Sequence, residues 1–311
     1  MIMTIRQAYG EALVKYGKKN KDIVVFDADV SGSTRSCAFQ EACPERFFNV
    51  GIAEANMTAM AGGMAASGKI PFVNSFAVFL SSAGLLAART LGSYARLPVK
   101  FAGAYGGLSD AFDGPSHHSL EDIAIMRSLP NFKVFVASDP VQTEWLVKNA
   151  IEDRSPMYLR LSRDVFPNIY NEHDIFEEGK GKMIRCGKDI AIISCGLMVG
   201  NAMAAADILS KKGIEASVID MFCIKPLDKE LVVKCAKEMG AIVTAEEHNI
   251  IGGLGSAVSE VLCEAGTQVP VGFVGMQDVH AECGPYSDLQ KKYKLDAQAI
   301  AEKACEIISR K

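Results

Sequence analysis

One acid, Glu54, opens an apolar run of helical period (Ala55, Met57, Ala59, Met60, Ala61) directly after Val50-Gly51-Ile52-Ala53. A carboxyl entering such a run has its pKa raised by desolvation unless donors surround it, which is how general acids and bases are tuned. A solvated first-turn glutamate, favoured there by the helix dipole, accounts for the same position. Phe76 and Phe79, three apart, fall on one helical face. They offer either a stacking wall for a planar heterocycle or ordinary core packing. The stretch from Gly103 to His118 is long, polar and glycine-rich, and loops of this length in compact domains are functional or disordered. It ends on His117 and His118, whose side chains point in different directions and so do not share one metal. Ser119-Leu120-Glu121 then reads as the cap of the next helix. Arg163, in Leu159-Arg160-Leu161-Ser162-Arg163, ends a strand, where a guanidinium can clamp a phosphate or form a surface pair with Asp164.

Two other motifs carry less. Gly253-Leu254-Gly255 opens a helix after a β-run but lacks the third glycine and the downstream acid of a dinucleotide fingerprint. His280-Ala281-Glu282-Cys283 imitates the H-x-E of zinc deaminases without the P-C-x-x-C that would close the ligand set.

The elements that must position these groups alternate strand and helix. Apolar β-runs fall at 23–26, 70–74, 99–102, 134–137 and 157–161, separated by helical segments at 54–67, 76–93, 119–128 and 140–152. A second alternation follows, with strands at 190–194, 216–219, 241–244 and 271–274. Its helices fall at 198–212, 228–239, 253–265 and 295–309. Continuous apolar strands separated by helices imply parallel sheets covered on both faces. The polar, Pro- and Gly-containing stretch 167–187 reads as a linker between a domain at 1–166 and another at 188–311. The fold class is therefore α/β with two doubly wound domains, and ligands belong at the carboxyl ends of the strands. The chain has 311 residues and a net charge of −4, against nucleic acid as a partner. Its apolar stretches are too short to span a membrane. Nine cysteines without a C-x-x-C pair, and no signal-type apolar run at the start, suit a reducing, cytoplasmic setting.

Taken together, Asp27-Ala28-Asp29, Val50 to Met57, Asp113-Gly114-Pro115-Ser116-His117, Leu120 to Ala124 and Glu246-Glu247-His248-Asn249 resemble the C-terminal half of transketolase, in family order over about residues 3 to 305. The resemblance implies a pyrimidine-binding thiamin-diphosphate fold followed by the transketolase C-terminal domain, with thiamine diphosphate at a subunit interface. It makes Glu54 the acid that hydrogen-bonds the aminopyrimidine nitrogen and favours its imino tautomer. Phe76 and Phe79 become the aromatic positions on the pyrimidine. Asp29, with Val30 beside it, lies where the family has an acidic interface residue near the cofactor. His117 matches the histidine on the two-carbon donor fragment and Asp113 an acid that contacts substrate hydroxyls. Ser33 and Arg163 match phosphate-binding positions, and Glu246-Glu247-His248 caps a strand in a supporting domain. The chain departs from the family at Tyr105, where a second phosphate-contacting histidine is usual, at Phe112, where Glu is usual, and at Ser82, an aromatic position. These departures imply a sugar with a different anionic group or a branched chain.

No Gly-Asp-Gly motif, the family's Mg²⁺ and diphosphate anchor, occurs in the sequence, so no residue here is assigned to a metal. The resemblance then implies that a separate N-terminal transketolase subunit carries that motif and holds the Mg²⁺, in an α2β2 complex acting on sugar phosphates. The alternatives are the β subunit of a 2-oxo-acid dehydrogenase, which shares the layout, and a non-catalytic assembly partner of a thiamine enzyme.

Overall fold

The computed structural model describes residues 3–164 and 168–311. Its strands are β1 (Ile23–Asp27), β2 (Phe47–Asn49), β3 (Ile70–Phe76), β4 (Lys100–Ala104), β5 (Lys133–Val136), β6 (Met157–Arg160), β7 (Lys182–Arg185), β8 (Ile190–Ser194), β9 (Ala216–Asp220), β10 (Cys223–Lys225), β11 (Ile242–Asn249) and β12 (Val271–Met276). They form a seven-stranded sheet of order β10-β5-β6-β4-β3-β1-β2 and a five-stranded sheet of order β12-β11-β8-β9-β7. Pairing is parallel except for β10 on β5 and β7 on β9. Strands β1, β3, β4, β8 and β9 are buried along their whole length, as expected of parallel strands with helices on both faces.

Helix starts carry local signals. Thr4 makes a reciprocal capping box with Gln7 at the head of the helix Ile5–Gly17. Asp139 caps Pro140–Glu152 with proline at its first position, and Asp228 and Asp296 cap Lys229–Met239 and Ala297–Ile308. Among the described residues, no helix is long and apolar enough to cross a membrane.

Four local expectations change. The segment 76–93 is not one helix: β3 runs through Phe76, followed by the short helices Ala77–Ser81 and Leu85–Ala87 and a π-helical stretch Ala88–Tyr94. Ser81 and Ser82 turn their hydroxyls back onto the carbonyls of Ala77 and Val78, which competes with helix continuation. Ser119 does not cap a helix. It exchanges backbone hydrogen bonds with Gly107, and the helix begins at Asp122. Strand β7 falls inside the stretch 167–187, while the domain limit at 166–167 lies outside the described residues. The edge strands β2, β7 and β10 are only three or four residues long and have no period to read.

The two halves are stitched together. β10, from the second half, completes the first sheet. Asp220, at the end of β9, accepts from Ser138 Oγ (2.9 Å), Gln142 Nε2 (2.9 Å) and Tyr170 Oη (2.7 Å). Tyr158 Oη and Arg160 Nε each donate to Asp122 Oδ2 at 2.7 Å, and Arg160 Nη2 reaches the carbonyls of Ser119 and Glu247.

Lys100 is fully buried, its Nζ donating to the carbonyls of Asp153 (2.8 Å) and Ser155 (2.6 Å). Burial pulls its ammonium down from 10.5 to about 7. The stability this group contributes is present above the unfolded value and lost as pH falls through the folded one. Melting curves should therefore show wild type gaining on Lys100→Met between pH 7 and pH 10. A difference that stays flat with pH contradicts this.

Candidate active site

The carboxyl ends of β1, β3 and β4 gather the groups singled out in the sequence. β1 ends on Asp27, whose buried carboxyl accepts from Val30 N (2.7 Å), Thr34 Oγ1 (2.9 Å) and Ser36 Oγ (2.8 Å). Burial pushes that carboxyl up despite the three donors. The turn it holds presents Asp29, Val30 and Ser33. Asp29 has φ +67°, is exposed, and accepts from Asn49 Nδ2 at 2.7 Å.

Glu54 begins its helix, Glu54–Ala66, with no capping side chain before it, and is buried. Ser75 Oγ, one residue from the end of β3, donates to Glu54 Oε1 at 2.9 Å. Among the described residues Oε2 takes no hydrogen bond, so one oxygen of a buried carboxyl is left for an incoming donor. The solvated first-turn reading of Glu54 does not hold.

The next residue, Phe76, stacks on Phe79 with ring centroids 5.7 Å apart and 23° between planes. The two rings do meet, but from a strand end and a following helix, not from one helical face. His117 stands edge-on to both, 5.7 Å from Phe76 and 5.3 Å from Phe79, with Ser116 Oγ 2.9 Å from its Nδ1. Tyr105 closes the group 4.6 Å from Phe76, and Val30 packs against the same cluster. His118 turns the other way and is buried, as the opposed directions of neighbouring side chains require. Burial lowers its pKa.

Beyond Tyr105 lies a cationic patch. Arg6 Nη1 donates to Tyr105 Oη (2.8 Å) and to the carbonyl of Ser33, and the Arg6 guanidinium lies 4.7 Å from the Tyr105 ring centre. Arg163 sits 5.3 Å from the same centre. It pairs with Asp110 (3.1 Å), not with Asp164, and is 44% exposed, so it can turn to a ligand. Burial lowers the Arg6 pKa, with the Arg35 and Arg163 cations adding to the effect. The buried Asp110 carboxyl is pushed up to about 6 by burial and by neighbouring Asp113, against the pull of Arg163. Asp113 itself is exposed. Arg6 is barely marked in the sequence. Its one signal is a cation in the first turn of a helix, the end where the dipole disfavours it.

The supporting motifs are placed differently. Glu246-Glu247-His248 lies within β11 instead of capping a strand. Glu246 accepts from Leu254 N (2.7 Å) and Gly255 N (2.8 Å), so a carboxylate fills the helix terminus a dinucleotide phosphate would need. A Cβ on Gly253 would sit 2.0 Å from Glu246 Oε2, which explains the glycine. Glu282 of the deaminase-like motif pairs with Lys292 (2.5 Å).

A buried carboxyl with one oxygen unused, held by the residue that precedes a stacked aromatic pair and a histidine edge, suits a planar heterocycle that exchanges a proton with an acid. The Arg6, Ser33 and Arg163 patch can bind an anion.

Residues 2–168 match the transketolase pyrimidine-binding domain and residues 179–300 the transketolase C-terminal domain. The chain is 41% identical to a putative transketolase C-terminal section of Methanocaldococcus jannaschii, over 97% of this chain and 95% of that one. It is 38% identical to a 6-deoxy-6-sulfo-D-fructose transketolase subunit of a Clostridium species, over 99% and 95%. A solved split-gene transketolase, an inactive β4 tetramer, superposes with a TM-score of 0.90 at 43% identity, each chain covered to 99%. The chain thus belongs to the transketolase family and carries its pyrimidine-binding and C-terminal domains.

Proposed function

We propose that this chain is the C-terminal subunit of a thiamine-diphosphate-dependent transketolase, moving a two-carbon ketol unit from a ketose phosphate to an aldose. The observation that carries the reading is the pairing of Glu54, one oxygen held by Ser75 and the other unused, with the Phe76–Phe79–His117 cluster one residue along β3. That combination fits an aminopyrimidine: a flat ring needs an aromatic face, and its ring nitrogen needs a protonatable oxygen.

In this reading Glu54 holds or moves a proton at Oε2 while Ser75 fixes the carboxyl. Phe76, Phe79 and Val30 form the wall and exclude water, and Asp29 borders the pocket at the subunit interface. When bound, thiamine diphosphate supplies the electron sink that lets a carbon–carbon bond beside a carbonyl break. His117 and Asp113 orient the hydroxyls of the donor, and Ser33 and Arg163, with Arg6, receive its anionic end. Among the described residues no three His, Cys, Asp or Glu side chains converge as a metal site. As the family resemblance implies, the diphosphate and its Mg²⁺ fall to a second, N-terminal-type subunit with the Gly-Asp-Gly motif, in an α2β2 complex. The split-gene relative, an inactive β4 tetramer, supports this division. So do the side chains of Ile52 (84% exposed) and Met60 (42%), apolar surface flanking Glu54.

Mixing the chain with such a subunit, thiamine diphosphate and Mg²⁺ should give ketose-phosphate cleavage that neither chain shows alone. Faster turnover of pyruvate would favour the 2-oxo-acid dehydrogenase reading, and no turnover of either would favour a non-catalytic partner. In the active pair Arg163→Gln should raise KM for the phosphorylated donor about 10- to 100-fold, with kcat within a few-fold. That is the loss expected of one charge-assisted hydrogen bond made equally in ground and transition states. An unchanged KM removes Arg163 from the anion site.

A further inference from the structure

The loop that carries Asp113 and His117 is not held by its own half of the chain alone. Leu108 N donates to Glu247 Oε1 at 2.6 Å, across 139 residues of sequence, and the other oxygen, Oε2, accepts from Tyr286 Oη at 2.9 Å. Glu247 is buried and so is Leu108. Leu108, Ala111 and Leu120 pack into the apolar core built by Ala245, Met276 and Leu289 of the second half. A further tie is Gly284 N to the carbonyl of Ala111 (3.0 Å). Gly107 has φ +72°, and a Cβ there would lie 2.6 Å from Glu247 Cδ, so the loop is shaped to admit this carboxyl.

We infer that Glu247 is a positioning residue for the substrate loop: its carboxyl, set by Tyr286, fixes Leu108 and through it the placement of Asp113 and His117 against Phe76 and Phe79. The second half of the chain thereby acts on the chemistry without touching substrate. A buried amide deprived of its acceptor has no water to turn to, so the loop must shift to satisfy it. Burial also pushes the Glu247 carboxyl up to about 7, against the pull of Arg160, in keeping with a group enclosed on every side.

The inference rests on the reading of Asp113 and His117 as substrate-contacting residues, and the test separates the two. Hydrogen exchange followed by mass spectrometry on this chain alone reads the latch without substrate. In Glu247→Ala, peptides covering 106–118 should exchange at least about tenfold faster than wild type, while those of β1, β3 and β8 stay unchanged. In the assembled enzyme the same variant should lose about 10- to 100-fold in kcat with a smaller change in KM. Glu247→Gln should return both readouts to within about threefold of wild type, since its amide oxygen still accepts from Leu108 N. If the alanine variant does not fold, Gly107→Ala tests the same contact from the loop side, with the same two results expected. Unchanged exchange across 106–118, or a rise shared equally by both sheets, overturns the inference. So does a glutamine variant as impaired as alanine. A wild-type pair that turns over no ketose phosphate counts against the proposed function, whereas the exchange result still decides the latch.

Discussion

Glu54→Gln is expected to lower turnover by the proposed two-subunit enzyme about 10²- to 10⁴-fold, the range for losing a positioned acid–base group, and to leave folding and assembly as they were. The substitution keeps the shape of the side chain. Ser75 Oγ, which donates to Oε1 in the wild type, finds an amide oxygen at the same place. What disappears is the second oxygen, the only part of the group left without a partner among the described residues. An amide nitrogen there donates where a ring nitrogen needs a proton shared with it, so the loss falls on kcat more than on the binding of substrate. Steady-state kinetics of the pair, with sedimentation and melting curves as controls, measure the effect. Wild-type turnover in the variant would return Glu54 to a merely structural role.

Asp122→Ala is the substitution with the largest expected effect on stability, about 3–5 kcal/mol lost, because it strands the Arg160 guanidinium in the interior. Both side chains are almost wholly buried, with relative exposures of 3% and 0% for Arg160 and Asp122. Burial pushes the Asp122 carboxyl up, yet Arg160, with His248 and the two hydrogen bonds, holds it below the usual carboxylate range. Replacing both partners, as Asp122→Leu with Arg160→Met, should recover much of the loss, since an apolar pair avoids the buried charge altogether. It should not recover all of it. Arg160 Nη2 also donates to the carbonyls of Ser119 and Glu247, and the double variant removes both of those hydrogen bonds. Denaturant titration of the three variants tests this, and a double variant less stable than Asp122→Ala would contradict it.

Much of this architecture could be read directly from the residues, for a definite reason. Each interior strand of a parallel sheet is a continuous apolar run between helices, so β1, β3, β4 and β8 announce themselves in sequence. Edge strands such as β7 and β10 are short and mixed, and their pairing is decided by neighbours far along the chain. The same division applies to the site. Glu54, Phe76, Phe79 and His117 stand out by type and by resemblance; the three rings meet, and Glu54 is tied to Ser75, the residue before Phe76. The phenylalanine pair does not share a helical face: β3 runs through Phe76 and the helix starts at Ala77, so only Phe79 is helical. Arg6 could not be found from local pattern, because its partner Tyr105 is 99 residues away. Glu247 was visible as part of a motif but not as a loop anchor, since its meaning lies in a contact 139 residues distant. Tyr105, noted only as a departure from the family, turns out to be the ring between two arginines.

The most direct test is a crystal structure of this chain assembled with an N-terminal-type transketolase subunit, thiamine diphosphate and Mg²⁺. The account predicts density for the aminopyrimidine against Phe76 and Phe79, with Glu54 Oε2 within hydrogen-bond distance of its ring nitrogen and Mg²⁺ held by the other subunit. A Glu54 carboxyl turned to solvent, with the ring bound elsewhere, would contradict it.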